Sequence, residues 1–200
     1  MTAGAPPVER RRQILDAAAR VFARRGFHAC RVSDIATEAG VAHGLLYHYF
    51  RSKEEVLDEL FVERWELLLR AIAAADAKSI TPREKLDDVA GFIIDSYRRD
   101  PDLMKVIIVE VTRAANSFGR THLDEIRRAY DLIAGIVRGA QAAGVYRADI
   151  DPLFASLWFY GSIEQLLSGW IFELIPGTDA DYDRARRDLV ETISSGLEAR

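Results

Sequence analysis

A single cysteine, Cys30, among 200 residues excludes an intrachain disulfide framework, so the fold must rest on a buried core, which a 49% hydrophobic content can supply at this length. Metal-ligand spacing is missing too. The four histidines, His28, His43, His48 and His122, are scattered, and His43 and His48 would stand about 140° apart on a helix, wrong for sharing an ion. There is no Gly-rich phosphate loop and no Ser, His and Asp set, and Cys30 has only the basic Arg31 beside it. Neither catalysis nor a bound cofactor is implied. No basic-then-apolar leader opens the chain, which reads as cytoplasmic. Strand-like alternation, internal repeats and low-complexity tracts are lacking as well.

What is present is helical punctuation, and it predicts an all-α chain of about nine helices. The first runs from about Pro7 to Arg25 and stops at Gly26. Two short helices follow between Ser33 and Phe50, and Ser52 with Glu55 forms the capping pattern of a fourth that reaches about Asp76. Thr81, Pro82 and Glu84 open a fifth, ending near Arg99, and Asp100 with Pro101 opens a sixth. A break is expected over residues 116–119. The seventh carries Leu123, Ile126, Tyr130, Ile133 and Val137 on one face and stops at Gly144; Asp151 and Pro152 open the eighth; the ninth runs from about Ala180 to Leu197.

The eighth helix is long and apolar. Leu153 to Ile175 spans twenty-three mostly apolar residues, near the ~20 that cross a bilayer, but Ser156, Ser162, Glu164, Gln165, Ser168 and Glu173 interrupt it and no basic residues flank it. It reads as covered by protein rather than lipid. One face should cover the core and another meet its copy in a homodimer, with the ninth helix completing a four-helix seam.

The most informative stretch is SDIATEAGVAHGLLYHYFRSK, residues 33–53, which predicts two short helices joined by a tight turn. Ser33 is the expected N-cap, Gly40 the C-cap, and Leu46 with Phe50 the buried side of the second helix, leaving His43, Leu45, Tyr47 and His48 outward. Charge supports a nucleic-acid role. Residues 1–53 hold nine Lys and Arg against four acids, a net +5, while residues 54–200 carry −9. Residues 1–53 are thus read as a DNA-binding head and 54–200 as a body for ligand binding and dimerisation. Arg31 is a candidate phosphate contact, the histidines can donate to guanine or phosphate, and Leu45 can touch thymine methyls.

The run GFHACRVSDIATEAGVAHGLLYHYFRSKEEVLDELF, residues 26–61, resembles the DNA-binding head of the tetracycline-repressor (TetR) family of bacterial transcription regulators. The resemblance implies a homodimer that represses by occupying a palindromic double-stranded operator and releases it when a small molecule binds. It also implies phosphate contacts for Tyr47 and Lys53, with Ser33 able to add its hydroxyl.

For the effector, the body offers apolar and aromatic residues that line a pocket or simply form core: Trp65, Phe92, Tyr97, Met104, Ile108, Val111, Phe118, Trp158 and Trp170. The segments VEVTRAAN and FYGSIEQLLSGW resemble the branch that regulates fatty-acid metabolism and responds to acyl-coenzyme A, which implies a long-chain acyl effector with Arg113 near its phosphates. Two alternatives stay open: a regulator of drug efflux answering to generic hydrophobic compounds, and a dimeric helical interaction module that never meets DNA.

Overall fold

The computed structural model describes residues 6–112 and 122–199, and most of them are helical. Nine helices occur among the described residues: α1 (Pro7–Arg25), α2 (Val32–Glu38), α3 (His43–Tyr49), α4 (Lys53–Asp76), α5 (Pro82–Arg99), α6 (Pro101–Val106), α7 (Leu123–Ala142), α8 (Pro152–Ile171) and α9 (Asp179–Leu197). α6 passes without interruption into a π-helical stretch, Ile107–Thr112. The break expected over residues 116–119 lies outside the described residues. No described helix is long and apolar enough to cross a membrane.

Local chemistry sets most of these boundaries. Pro7, Pro82, Pro101 and Pro152 each occupy the first position of a helix, where a missing N–H costs nothing. Thr81 and Thr178 cap α5 and α9 in reciprocal boxes with Glu84 and Asp181, and the Asp151 carboxylate accepts from the N–H groups of Leu153 and Phe154 at 2.7 and 3.3 Å. Gly40, at φ +63°, ends α2 in a Schellman turn, its N–H bonding Thr37 O while the Val41 N–H bonds Ala36 O.

Three expectations need correction. Ser33 is not the N-cap of α2, because that helix begins at Val32 and the Asp34 carboxylate caps it by accepting from the Arg31 N–H at 2.9 Å. α8 ends at Ile171, four residues early, because Glu173 adopts φ +55° and the Leu174 N–H bonds Gly169 O at 2.7 Å, a Schellman closure without glycine. Leu123 is exposed on the first turn of α7, whose buried stripe is carried by Ala129, Ile133, Ala134, Ile136, Val137 and Ala140.

The chain divides into two compact units. Among described residues, one contains 6–64 with 102–112, and the other 65–101 with 122–199. In the first, Ile14, Ala18 and Phe22 of α1 bury with Ile35, Leu46, Phe50, Val56, Leu57 and Phe61. In the second, α7 runs along α8 and α9 along α5, burying Ile72, Leu86, Val89, Ile94, Ile133, Phe159 and Ile163. Arg98 reaches Asp179 and Asp183, Arg186 pairs with Asp87, and Arg83 with Glu191, so the α5–α9 seam is laced with ion pairs. An isolated antiparallel bridge joins Tyr146 to Glu198 beyond the end of α9.

Two outcomes follow for stability. Substitutions at the ends of α8 act in opposite directions: Asp151→Ala removes a cap and costs about 1 kcal/mol, while Glu173→Gly relieves a left-handed residue and gains up to ~1 kcal/mol, both measurable by chemical denaturation. The second concerns acid. Asp34 is held below the usual carboxylate range by the Arg31 N–H and Arg25, Glu38 by Arg20 and Arg24, and Glu84 and Asp181 by their capping threonines. Because these folded-state values are depressed, their stabilisation is present above the unfolded carboxylate range and lost as pH falls. The melting temperature should hold near neutrality and drop as pH passes below about 4, less steeply in an Asp34→Asn, Glu38→Gln variant. A melting temperature that rises on acidification contradicts the assignment.

Candidate nucleic-acid interface

The two short helices are built as a reading unit. Leu46 (0% exposed) and Phe50 (1%) anchor α3, so its outer side presents His43, Leu45, Tyr47 and His48 to solvent, as the sequence pattern requires. The His43 ring meets the Tyr47 ring edge-on, with centroids 5.1 Å apart. α1 holds the far end of α3. The Arg11 guanidinium forms a two-pronged pair with Glu59 of α4, lies 4.6 Å over the Phe50 ring, and donates to the Tyr49 carbonyl at 3.2 Å. Gln13 adds a 2.6 Å bond to Ala39 O at the turn between α2 and α3.

Beside α3 lies a polar hollow of about 450 Å³ whose wall includes Arg31, Ser33, His43, Tyr47, Arg51 and Lys53. Five of the seven head residues expected at DNA therefore share one concavity, while Leu45 and His48 lie on the exposed surface of α3 outside its lining. Lys53 sits there in an unexpected way. Its Nζ donates to the carbonyls of Phe27, His28 and Cys30 at 2.8, 3.2 and 3.0 Å and rests 4.6 Å over the Phe27 ring. Cys30 is buried beside it, and burial pushes its thiol up.

Most of the head's positive charge is internally engaged. Arg20 and Arg24 converge on Glu38 at 2.8 and 2.6 Å, Arg25 pairs with Asp34 at 2.8 Å, and Arg12 reaches Asp16 and Glu63, both at 3.1 Å. Arg31 and Arg51 are exposed and form no ion pair among the described residues. Arg51 was not singled out by the sequence pattern, although its place one step after Phe50 was the available signal. Extending the count to Arg64 adds five acids and one base, so the first 64 residues carry only +1.

The body residues expected around an effector are dispersed. Trp65 is buried, donates from Nε1 to Glu125 O at 2.8 Å, and meets Tyr160 edge-on. Burial drives the Tyr160 hydroxyl well above the usual phenol range. Tyr97 stacks on Trp170 with centroids 5.8 Å apart, and Tyr182 closes this cluster edge-on to Trp170 at 4.7 Å. Phe92 lines a polar groove with Lys78, Asp88 and Arg99, whereas Met104 and Ile108 are buried within the unit that holds the head. Trp158 is 54% exposed and stacks on Phe154. Val111, Arg113 and Phe118 lie outside the residues whose side chains are described. An open apolar groove of about 750 Å³ runs between α8 and α9, lined by Leu166, Trp170, Leu174, Ile175, Leu189 and Ile193 among others. Of the described members of the expected set, only Trp170 lines it.

Comparison with known proteins agrees with this geometry. Residues 14–60 match the family described as bacterial regulatory proteins, tetR family, and residues 82–193 match the tetracyclin repressor-like C-terminal domain. The chain is 30% identical to the fatty acid metabolism regulator protein of Bacillus subtilis over 188 residues, covering 92% of this chain and 94% of that protein. It is also 30% identical to the transcriptional repressor KstR2 of Rhodococcus jostii, with 94% of this chain and 91% of that protein covered. Among solved structures, the regulator FadR from Bacillus subtilis in complex with stearoyl-CoA superposes with a TM-score of 0.82 at 26% identity, covering 94% of this chain and 99% of that one. With a reading helix in one unit, a helical body in the other and both family domains matched in order, the chain belongs to the TetR family of DNA-binding transcriptional regulators.

Proposed function

We propose that the chain is a homodimeric repressor, acting in the cytoplasm, that occupies a palindromic operator and releases it on binding a long-chain acyl-coenzyme A. The observation that carries the operator reading is the outward face of α3, with His43, Leu45, Tyr47 and His48 exposed beside a hollow bearing Arg31, Ser33 and Arg51. In this reading α3 enters the major groove, the Tyr47 hydroxyl and Arg31 meet backbone phosphates, and residues 54–200 serve ligand binding and dimerisation. Exposed Leu153, Phe154, Leu157 and Trp158 on α8, continuing toward the groove shared with α9, support the two-fold contact that a palindrome demands. The likeness to the Bacillus subtilis fatty acid metabolism regulator, and to FadR in complex with stearoyl-CoA, supports the acyl effector.

Operator binding and assembly are tested together. Affinity for duplex DNA should fall linearly with the logarithm of salt concentration, and Tyr47→Phe should weaken binding to all duplexes alike, as loss of a phosphate contact does. Trp158→Glu, on the surface of the protomer, should convert dimer to monomer in sedimentation while leaving helicity intact, and weaken operator binding with it. A salt-independent affinity, or a monomeric wild type at micromolar concentration, overturns the reading.

The effector is tested by linkage. Stearoyl-coenzyme A should weaken operator binding by roughly 5- to 150-fold, and operator should weaken acyl-coenzyme A binding by the same factor, since coupling free energy is reciprocal. If stearoyl-coenzyme A neither raises the melting temperature nor releases DNA, the effector is of another class.

A further inference from the structure

An ammonium group has three N–H donors, and all three on Lys53 have carbonyl partners within one tight turn. These carbonyls belong to Phe27, His28 and Cys30, the connection that leaves α1 at Gly26 and delivers the chain to Arg31. The Phe27 ring beneath the ammonium completes the cage. Lys53 is the first residue of α4, so this single side chain ties the α1–α2 connection to the start of α4. Arg31 follows that connection, Arg51 precedes α4, and both line the hollow beside Tyr47. They are exposed; their backbone N–H groups donate to Asp34 and Glu55 at 2.9 and 2.6 Å, while among the described residues neither guanidinium forms an ion pair.

We propose that Lys53 is a positioning residue for operator binding, its ammonium holding the 27–30 connection in place so that Arg31 and Arg51, rather than Lys53 itself, neutralise operator phosphates. The inference rests on the operator-binding reading above. It reverses the role the family resemblance implied for the Lys53 side chain. The ammonium cannot turn to a phosphate without abandoning three carbonyls, and the two arginines have no such tie.

The salt dependence of duplex binding separates the roles, because each phosphate neutralised contributes about −0.9 to the slope of log affinity against log salt. With two arginines on each protomer, the dimer should show a slope of about −4. Arg31→Ala and Arg51→Ala should each make it shallower by about 2. Lys53→Met should lower affinity roughly tenfold or more in the wild type, the scale of lost hydrogen bonds to a charged group, but in an Arg31→Ala, Arg51→Ala background it should change the slope no further. Lys53→Arg, which keeps donors for the carbonyls, should recover part of that loss. All are measured well below the melting transition of each variant, with folding checked by circular dichroism. The inference is overturned if Lys53→Met flattens the slope by about 2 in the Arg31→Ala, Arg51→Ala background, which marks a direct phosphate contact, or if the affinity of the single variant equals wild type once it is folded, which marks a role in stability alone. A wild type with no salt-dependent affinity instead defeats the operator reading itself.

Discussion

A helix of seven residues closes too few of its own hydrogen bonds to persist in water, so the conformation of α3, the reading element, has to be imposed from outside. Three constraints impose it. Leu46 and Phe50 bury against the α1–α2 layer, the Schellman turn at Gly40 sets the angle at which the chain leaves α2, and Arg11 holds the opposite end through the Tyr49 carbonyl and the Phe50 ring. Arg11 in turn is fixed by Glu59, so the position of α3 depends on α4 as much as on the turn that precedes it. The recognition surface is thus a property of the whole unit.

That dependence explains why charge counting along the chain overstates the field available to DNA. The +5 of residues 1–53 is correct as arithmetic, but Glu59 and Glu63, about two and three turns into α4, pair with Arg11 and Arg12. Ion pairs such as Arg20 and Arg24 with Glu38 sit at the surface, where each contributes little to stability. Their stronger effect is to leave few cations of the head without an acidic partner, among them the two arginines beside the reading helix. In the proposed reading, affinity then draws on fewer phosphate contacts, and more of the recognition falls to the exposed face of α3.

Sequence reading succeeded where the determinant is local. Thr81 with Glu84, Pro152 after Asp151 and Gly40 before Val41 each carry their structural instruction within four residues, and the helices begin or end where those residues stand. The Leu46 and Phe50 spacing likewise placed the outer side chains of α3. It failed at Ser33 because two competent caps lay side by side and Asp34 reaches the Arg31 N–H. It failed at the end of α8 because Glu173 takes a conformation that glycine normally fills. The effector residues were least legible. An aromatic at core spacing looks the same whether it stacks on a neighbour, as Tyr97 does on Trp170, or lines a cavity, and only the packed chain separates the two.

The role of α4 follows from its length and its division. At 24 residues it extends about 36 Å, with its first half in one compact unit and its second half in the other. No proline or glycine interrupts it between Lys53 and Asp76, so it contains no cheap hinge. At one end Lys53 and Glu59 tie it to the turn and the clamp that position the reading unit; at the other, Ile72 and Ala75 are buried in the body and Asp76 receives Lys85. Under the proposed effector reading, a ligand that favours one body arrangement over another by about 1–3 kcal/mol would act on an element anchored at both ends. In the proposed reading coupling would need no chain of specialised residues, only an unbroken helix whose two halves belong to different cores.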